Sequence, residues 1–210
     1  MKIAFCFDLD GTLTREEILP QVAKRVGLYE EINILTEITM QGLITFDKSL
    51  KLRAKLLSTI PVSKVKETIS NIKIDESLQD FVQQNKADSF VVTGNLDVWV
   101  DDFVSDNYGC RRFTSIAEFN GDNLIQVNKI LNKHHAIEEI RNEYDFIIAI
   151  GDGMNDCGMF ENADIGIAYG GVHKPVSSLV KMSKYVCNDS KALVNLLKSL
   201  KRYLNETVVS

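Results

Sequence analysis

In Phe5-Cys6-Phe7-Asp8-Leu9-Asp10-Gly11-Thr12-Leu13-Thr14, two carboxylates set two residues apart close a short apolar run, and a glycine follows at which the backbone can turn sharply. The run 3–7 has little polar alternation, which predicts a strand covered on both faces. Like charges held close together in a partly dry site repel each other and raise a pKa. A strand that ends this way therefore points to a bound cation and a reaction. A turn acid capping a strand would explain Asp8 and Asp10 taken alone; further motifs downstream weigh against that reading.

Working outward, similar apolar runs recur at 90–92, 146–150, 165–168 and 185–187, each bounded by Asp, Gly, Asn or Thr. Helical periodicity fills the segments between them. Leu78, Phe81 and Val82 make one stripe, and Leu193, Leu196, Leu197, Leu200 and Leu204 make another. Strands alternating with helices predict an α/β fold with a Rossmann-like, doubly wound parallel sheet. Residues 15–72 break the alternation. They contain no strand pattern and carry four helical stripes: Ile18, Leu19, Val22 and Val26; Ile32, Leu35 and Ile38 or Thr39; Phe46, Ser49, Leu50, Arg53, Leu56 and Leu57; and Val62, Val65, Ile69 and Ile72. The expected division is a core of residues 1–14 and 73–210 with a small helical cap, 15–72, inserted after the first strand. Asn120-Gly121-Asp122-Asn123 between apolar runs predicts a hairpin within 107–127.

Composition narrows the function classes. The chain has 210 residues, 45% of them hydrophobic and 25% charged, with a formal net charge of −5. No basic face suited to nucleic acid is visible, and Lys48, Lys51 and Lys55 read as a solvated helix face. No apolar run approaches the length of a membrane span. Cys6, Cys110, Cys157 and Cys187 are far apart in sequence and form no CxxC pair. That predicts reduced thiols and a cytoplasmic protein. His134 and His135 are adjacent, so they point apart on a helix and read as a surface pair.

In an open α/β sheet, ligands bind at the carboxyl ends of the strands. The first strand brings Asp8 and Asp10 there. The second leads into Thr93-Gly94-Asn95, and the run 146–150 leads into Gly151-Asp152-Gly153-Met154-Asn155-Asp156. Lys133 begins a helix between those two strands. The acids suit Mg²⁺, a hard ion that takes oxygen ligands and keeps waters for substrate oxygens. A hydroxyl beside a glycine, with a lysine, suits a phosphoryl group. No Ser/His or Cys/His pair is evident, so the candidate nucleophile is a carboxylate. A second acid two residues on can protonate a leaving alcohol and then deprotonate water. Turn chemistry would explain Thr93-Gly94 by itself, and a surface role would explain Lys133 by itself. Their joint occurrence in this order is what carries the reading.

Together, Asp8-Leu9-Asp10-Gly11-Thr12-Leu13, Thr93-Gly94, Lys133 and Gly151-Asp152-Gly153-Met154-Asn155-Asp156 resemble the four motifs of the haloacid dehalogenase-like superfamily, across essentially the whole chain. The resemblance implies Asp8 as nucleophile and Asp10 as acid/base. It implies Mg²⁺ at Asp8, the Asp10 backbone carbonyl and Asp152, with Asp156 supporting, and phosphate at Thr93, Gly94, Lys133 and Asn155. Asp10 argues against dehalogenase chemistry, because that branch lacks the second acid.

The cap suggests the substrate. Arg53 sits on an otherwise apolar stripe, where a guanidinium suits a carboxylate or phosphate unless it merely snorkels. Glu17 lies where the cap begins, and in isolation it reads as a first-turn helix acid. The cap resembles that of phosphoserine phosphatases. There a Glu nine residues after the nucleophile binds an amine, as Glu17 would, and an Arg in the context Phe46-Asp47-Lys48-Ser49-Leu50-Lys51-Leu52-Arg53 binds a carboxylate. Met40 and Phe46 match apolar residues over the substrate. The expectation is a small-molecule phosphomonoester hydrolysed through an aspartyl-phosphate, with O-phosphoserine as substrate. The alternatives are another small phosphomonoester (phosphohomoserine, phosphocholine, a sugar phosphate), a phosphotransferase, and a catalytically silent binding module. Two departures bear on the substrate. Thr93-Gly94-Asn95 stands where the family has Ser-Gly-Gly, and Tyr169-Gly170-Gly171-Val172-His173-Lys174-Pro175 is longer than the usual Ala-Lys-Pro turn.

Overall fold

The structure, a computed structural model, describes residues 1–207. Strand β1 (Ile3–Phe7) is entirely buried and lies at the centre of the sheet. After it come four helices, α1 (Ile18–Ala23), α2 (Tyr29–Met40), α3 (Phe46–Leu57) and α4 (Val62–Ile69). The rest of the chain runs α5 (Glu76–Gln84), β2 (Ser89–Leu96), α6 (Asp97–Asn107), β3 (Arg111–Asn120), β4 (Asn123–Lys129), α7 (Lys133–Arg141), β5 (Phe146–Gly151), α8 (Cys157–Asn162), β6 (Ile165–Tyr169), α9 (Ser177–Met182), β7 (Tyr185–Cys187) and α10 (Ser190–Thr207). Among the described residues the sheet has seven strands in the order β4-β3-β2-β1-β5-β6-β7, parallel except for β4. This is the expected doubly wound α/β architecture.

Alternation along β1 divides the core. Phe5 and Phe7 point to one face, where Phe81 of α5 meets Phe5 edge-on at 5.1 Å and Leu193 and Leu197 of α10 also pack. Ala4 and Cys6 point to the other face, toward Ile137 and Ile140 of α7 and Met159 of α8. Each large apolar side chain buried this way contributes about 1.5–3 kcal/mol. The hairpin is present as β3 and β4, with Asn120 opposite Asn123 across the Gly121-Asp122 turn. Its first strand also pairs with β2, so it extends the main sheet.

The chain leaves for the four-helix segment and returns at one place. Thr14 bridges Ile74, and Arg15 N donates to Lys73 O at 2.8 Å. Asp75 caps α5 through Ser77 N and Leu78 N and takes Arg15 at 2.9 Å. Two stripes differ from the sequence reading. Val26 is exposed, because α1 stops at Ala23 and Gly27 then turns the chain with φ +70°. On α2 the buried face is Ile32, Thr36 and Thr39. The threonines are tolerated there because they are partnered: Thr39 Oγ1 donates to Ser49 Oγ at 2.6 Å, and Thr36 Oγ1 accepts from Arg53. No described helix is long and apolar enough to cross a membrane.

Candidate active site

Asp8 is the first residue beyond β1, and its N–H donates to Ile150 O at 2.9 Å, which fixes it beside the end of β5. The chain then turns at Gly11, whose φ of +68° lies in the left-handed region open to glycine. Thr14 N closes the turn onto Leu9 O at 2.9 Å. The turn delivers Asp10 to the same sheet edge as Asp8, where two donors aim its carboxylate. Ile18 N, at the start of α1, binds Oδ1 at 2.9 Å, and Asn95 Nδ2 binds Oδ2. Burial, reinforced by Glu17, raises the Asp10 carboxyl to about 7, so either protonation state is accessible near neutrality.

Behind Asp8 lies a buried charged cluster. Lys133, the first residue of α7, places Nζ 2.5 Å from Asp8 Oδ1 and 2.7 Å from Asp156 Oδ1. The other oxygen of Asp156 accepts from Asp152 N and Gly153 N, both at 2.9 Å. Burial works against the Lys133 ammonium, but Asp156 and Asp8 outweigh it and its pKa is raised. Asp8 and Asp152 are pushed well above the ordinary carboxylate range, first by burial and then by repulsion from Asp156.

Ligand oxygens of Asp8, Asp152 and Asp156 lie within 4.8 Å of one another. Asp152 Oδ2 is buried with no hydrogen-bond partner. Three carboxylates against one ammonium leave a deficit that a divalent cation balances, and the donors are all oxygen, as a hard ion requires. The cluster therefore fits a divalent metal. Asp156 has both oxygens engaged, so the free oxygens at this site belong to Asp8 and Asp152.

All the residues singled out from sequence except Lys133 and Asp156 line one cleft between the sheet edge and the four-helix segment. Asp8, Asp10, Asp152, Asn155, Thr93 and Gly94 form its floor, and Glu17, Met40, Phe46 and Arg53 form its roof. Thr93, Gly94 and Asn95 fall within β2, which runs on to Leu96 across a register shift. Gly94 is where Phe46 seats: a Cβ there would collide with the tip of the ring. Arg53 is 5% exposed; one guanidinium nitrogen reaches Thr36 at 3.2 Å, and Nε has no partner. Burial lowers its pKa while Glu17 and Asp10 oppose the shift.

Three contributions were not read from sequence. Asn95 holds Asp10. Thr36 holds Arg53, although a threonine one turn before Thr39 on a helical stripe was a usable signal. His173, from the turn after β6, reaches Glu17 at 3.3 Å.

A family model for haloacid dehalogenase-like hydrolases matches residues 4–164. A phosphoserine phosphatase of Methanocaldococcus jannaschii is 28% identical over 208 residues, covering 93% of this chain and 96% of that protein. One from Archaeoglobus fulgidus is 30% identical over 175 residues, covering 78% of this chain and 51% of that longer protein. Among solved structures, a substrate-bound phosphoserine phosphatase complex superposes with a TM-score of 0.82 at 25% identity, covering 94% of this chain and 97% of the other.

Proposed function

The chain belongs to the haloacid dehalogenase-like hydrolase family, and on that premise we propose that it is a Mg²⁺-dependent phosphomonoesterase acting on O-phosphoserine. Arg53 carries the substrate assignment. A buried guanidinium whose Nε has no partner, in the same cleft as Glu17, complements the carboxylate and ammonium of an amino acid whose phosphate lies over Asp8. The relatives named phosphoserine phosphatase support the same reading.

In the first step an Asp8 carboxylate oxygen forms the new bond to phosphorus, and the bond from phosphorus to the serine oxygen breaks. Asp10 gives its proton to that oxygen. In the second step Asp10 takes a proton from water as the water attacks phosphorus, and the Asp8–phosphorus bond breaks to release phosphate. Ile18 N and Asn95 orient Asp10 for both transfers. Lys133, Thr93, Asn155 and the Gly94 backbone offset and bind the phosphoryl oxygens, since positioning and charge stabilisation are most of what this reaction asks of a protein. Mg²⁺ would be held by Asp8, Asp152 and the Asp10 backbone carbonyl, with Asp156 supporting, and when bound it supplies positive charge to the transferring group.

Residues 15–72 form the cap that chooses the substrate, and residues 1–14 and 73–210 form the catalytic core; 208–210 lie outside the described residues. The free cysteines fit a reducing, cytoplasmic setting.

The test is phosphate release from O-phospho-L-serine, its D-enantiomer, phosphocholine, a sugar phosphate and an aryl phosphate, with Mg²⁺ and with EDTA. A Mg²⁺-dependent preference for phosphoserine is expected. Equal rates on phosphoserine and the aryl phosphate would contradict the substrate assignment.

A further inference from the structure

Glu17, assigned above to the substrate's ammonium, already has a cationic neighbour in this chain. His173 Nε2 lies 3.3 Å from Glu17 Oε1 and makes no hydrogen bond elsewhere. The two side chains meet over the Gly11 turn: a methyl built on Gly11 would lie 3.1 Å from His173 Cδ2, 3.3 Å from Glu17 Oε1 and 2.9 Å from Asp152 Oδ2. His173 enters from the turn between β6 and α9, whose ends are fixed. Gly170 N donates to Cys187 O at 2.7 Å, and Val176 N donates to Asp152 O at 3.1 Å. Between those anchors the imidazole side chain is 39% exposed, so its outer side is open to solvent.

We propose that His173 is a specificity-determining residue of this chain: its imidazolium occupies the cation subsite at Glu17, and a substrate ammonium must displace it to bind. The inference rests on the phosphoserine reading and deepens it. Two like charges cannot share one carboxylate without mutual repulsion. The groups that face His173 are acidic. Contact with Glu17 raises the imidazole pKa, partial burial opposes that, and Glu37 and Asp10 add to the rise. These acids favour the positive form where an incoming ammonium would bind. The position lies in the part of the chain that departs from the family's shorter turn, so the competition is a property of this chain. It lowers affinity for ammonium-bearing phosphomonoesters and leaves untouched those with a neutral group at that position.

The test is direct binding by calorimetry in the presence of Mg²⁺, using full-length protein that carries Asp8→Asn so that neither ligand is consumed. The ligands are O-phospho-L-serine and glycerate 3-phosphate, which has a hydroxyl in place of the ammonium. Adding His173→Ala should lower the ratio of their dissociation constants, phosphoserine over glycerate 3-phosphate, by about fivefold or more, the scale of one removed like-charge contact near a surface. His173→Asn should do the same, and neither substitution should change the ratio in a Glu17→Gln background. An unchanged or increased ratio would overturn the proposal, as would failure of all the proteins to bind either ligand. The phosphoserine reading fails separately, if the wild-type enzyme does not hydrolyse O-phosphoserine while these binding ratios still respond to His173.

Discussion

Asn95 shows how much one side chain can carry. It replaces a glycine of the family pattern and donates to Asp10 Oδ2, opposite the donor from Ile18. Asn95→Ala should lower kcat by about tenfold or more with little change in KM, since a hydrogen bond to a charged group is worth roughly 1.5–3 kcal/mol. Steady-state kinetics on O-phosphoserine checks this, and a larger change in KM than in kcat would assign Asn95 to binding instead. His173 gives a pH signature. Its pKa is raised by contact with Glu17, so the pair's contribution to stability is fully present below the ordinary histidine value of about 6.5 and is lost as pH rises through the higher folded-state value. An NMR titration of the His173 imidazole should therefore show its pKa fall toward the ordinary value in Glu17→Gln. At this scale the sequence points to Asp8, Asp10, Lys133, Asp152 and Asp156, which the structure brings together at one sheet edge, because paired acids at strand ends stand out and Lys133 gains weight from occurring with them. It was silent on Asn95 as an orienting group and on His173, because a side chain's partner across 85 residues, as for Asn95 and Asp10, has no local pattern.

Elements carry the contact between the four-helix segment and the sheet edge. Phe46, the first residue of α3, packs where a side chain at position 94 would be, and Gly42, after α2, packs against Met154. A Gly94→Ala methyl would collide with the Phe46 ring, so the start of α3 must lift away from β2. The predicted result is a fall in kcat/KM on the order of a hundredfold, the scale of a small misplacement at a reacting centre. Proteolysis of the 15–72 segment should become faster. Unchanged kinetics would mean that Phe46 does not need this seat. Helices and central strands were legible because their apolar spacing follows from burial. The end of β2 was not, because Thr93, Gly94 and Asn95 look like a turn in isolation and become strand only through pairing of Leu96 with Ser115. On α2 the stripe read from sequence includes Ile32 and, as one alternative, Thr39, but not Thr36, for a related reason: Thr36 is polar, and only its partner Arg53 in α3 makes it an interior residue.

For the whole molecule, the cluster of Asp8, Asp152, Asp156 and Lys133 ties stability to charge balance. Removing the ammonium leaves buried carboxylates uncompensated, so Lys133→Met should cost about 3–5 kcal/mol. In a protein of this size that is a drop of roughly 6–20 °C in Tm, read by thermal denaturation. Mg²⁺ acts in the opposite direction. At about a hundred times its dissociation constant a bound ion stabilises by about 2.7 kcal/mol, so Tm should rise by roughly 5–10 °C. Asp152→Asn should abolish that rise. A rise of equal size in Asp152→Asn would place the ion elsewhere.

Chemistry at Asp8 is tested most directly by trapping the intermediate. The enzyme is mixed with O-phosphoserine and Mg²⁺, quenched in acid during turnover, digested and analysed by mass spectrometry. A hydroxylamine-labile phosphoryl group on the peptide containing Asp8, absent in Asp8→Asn, is the predicted result. Continued turnover by Asp8→Asn, or a phosphoryl group trapped on any other residue, would contradict the account.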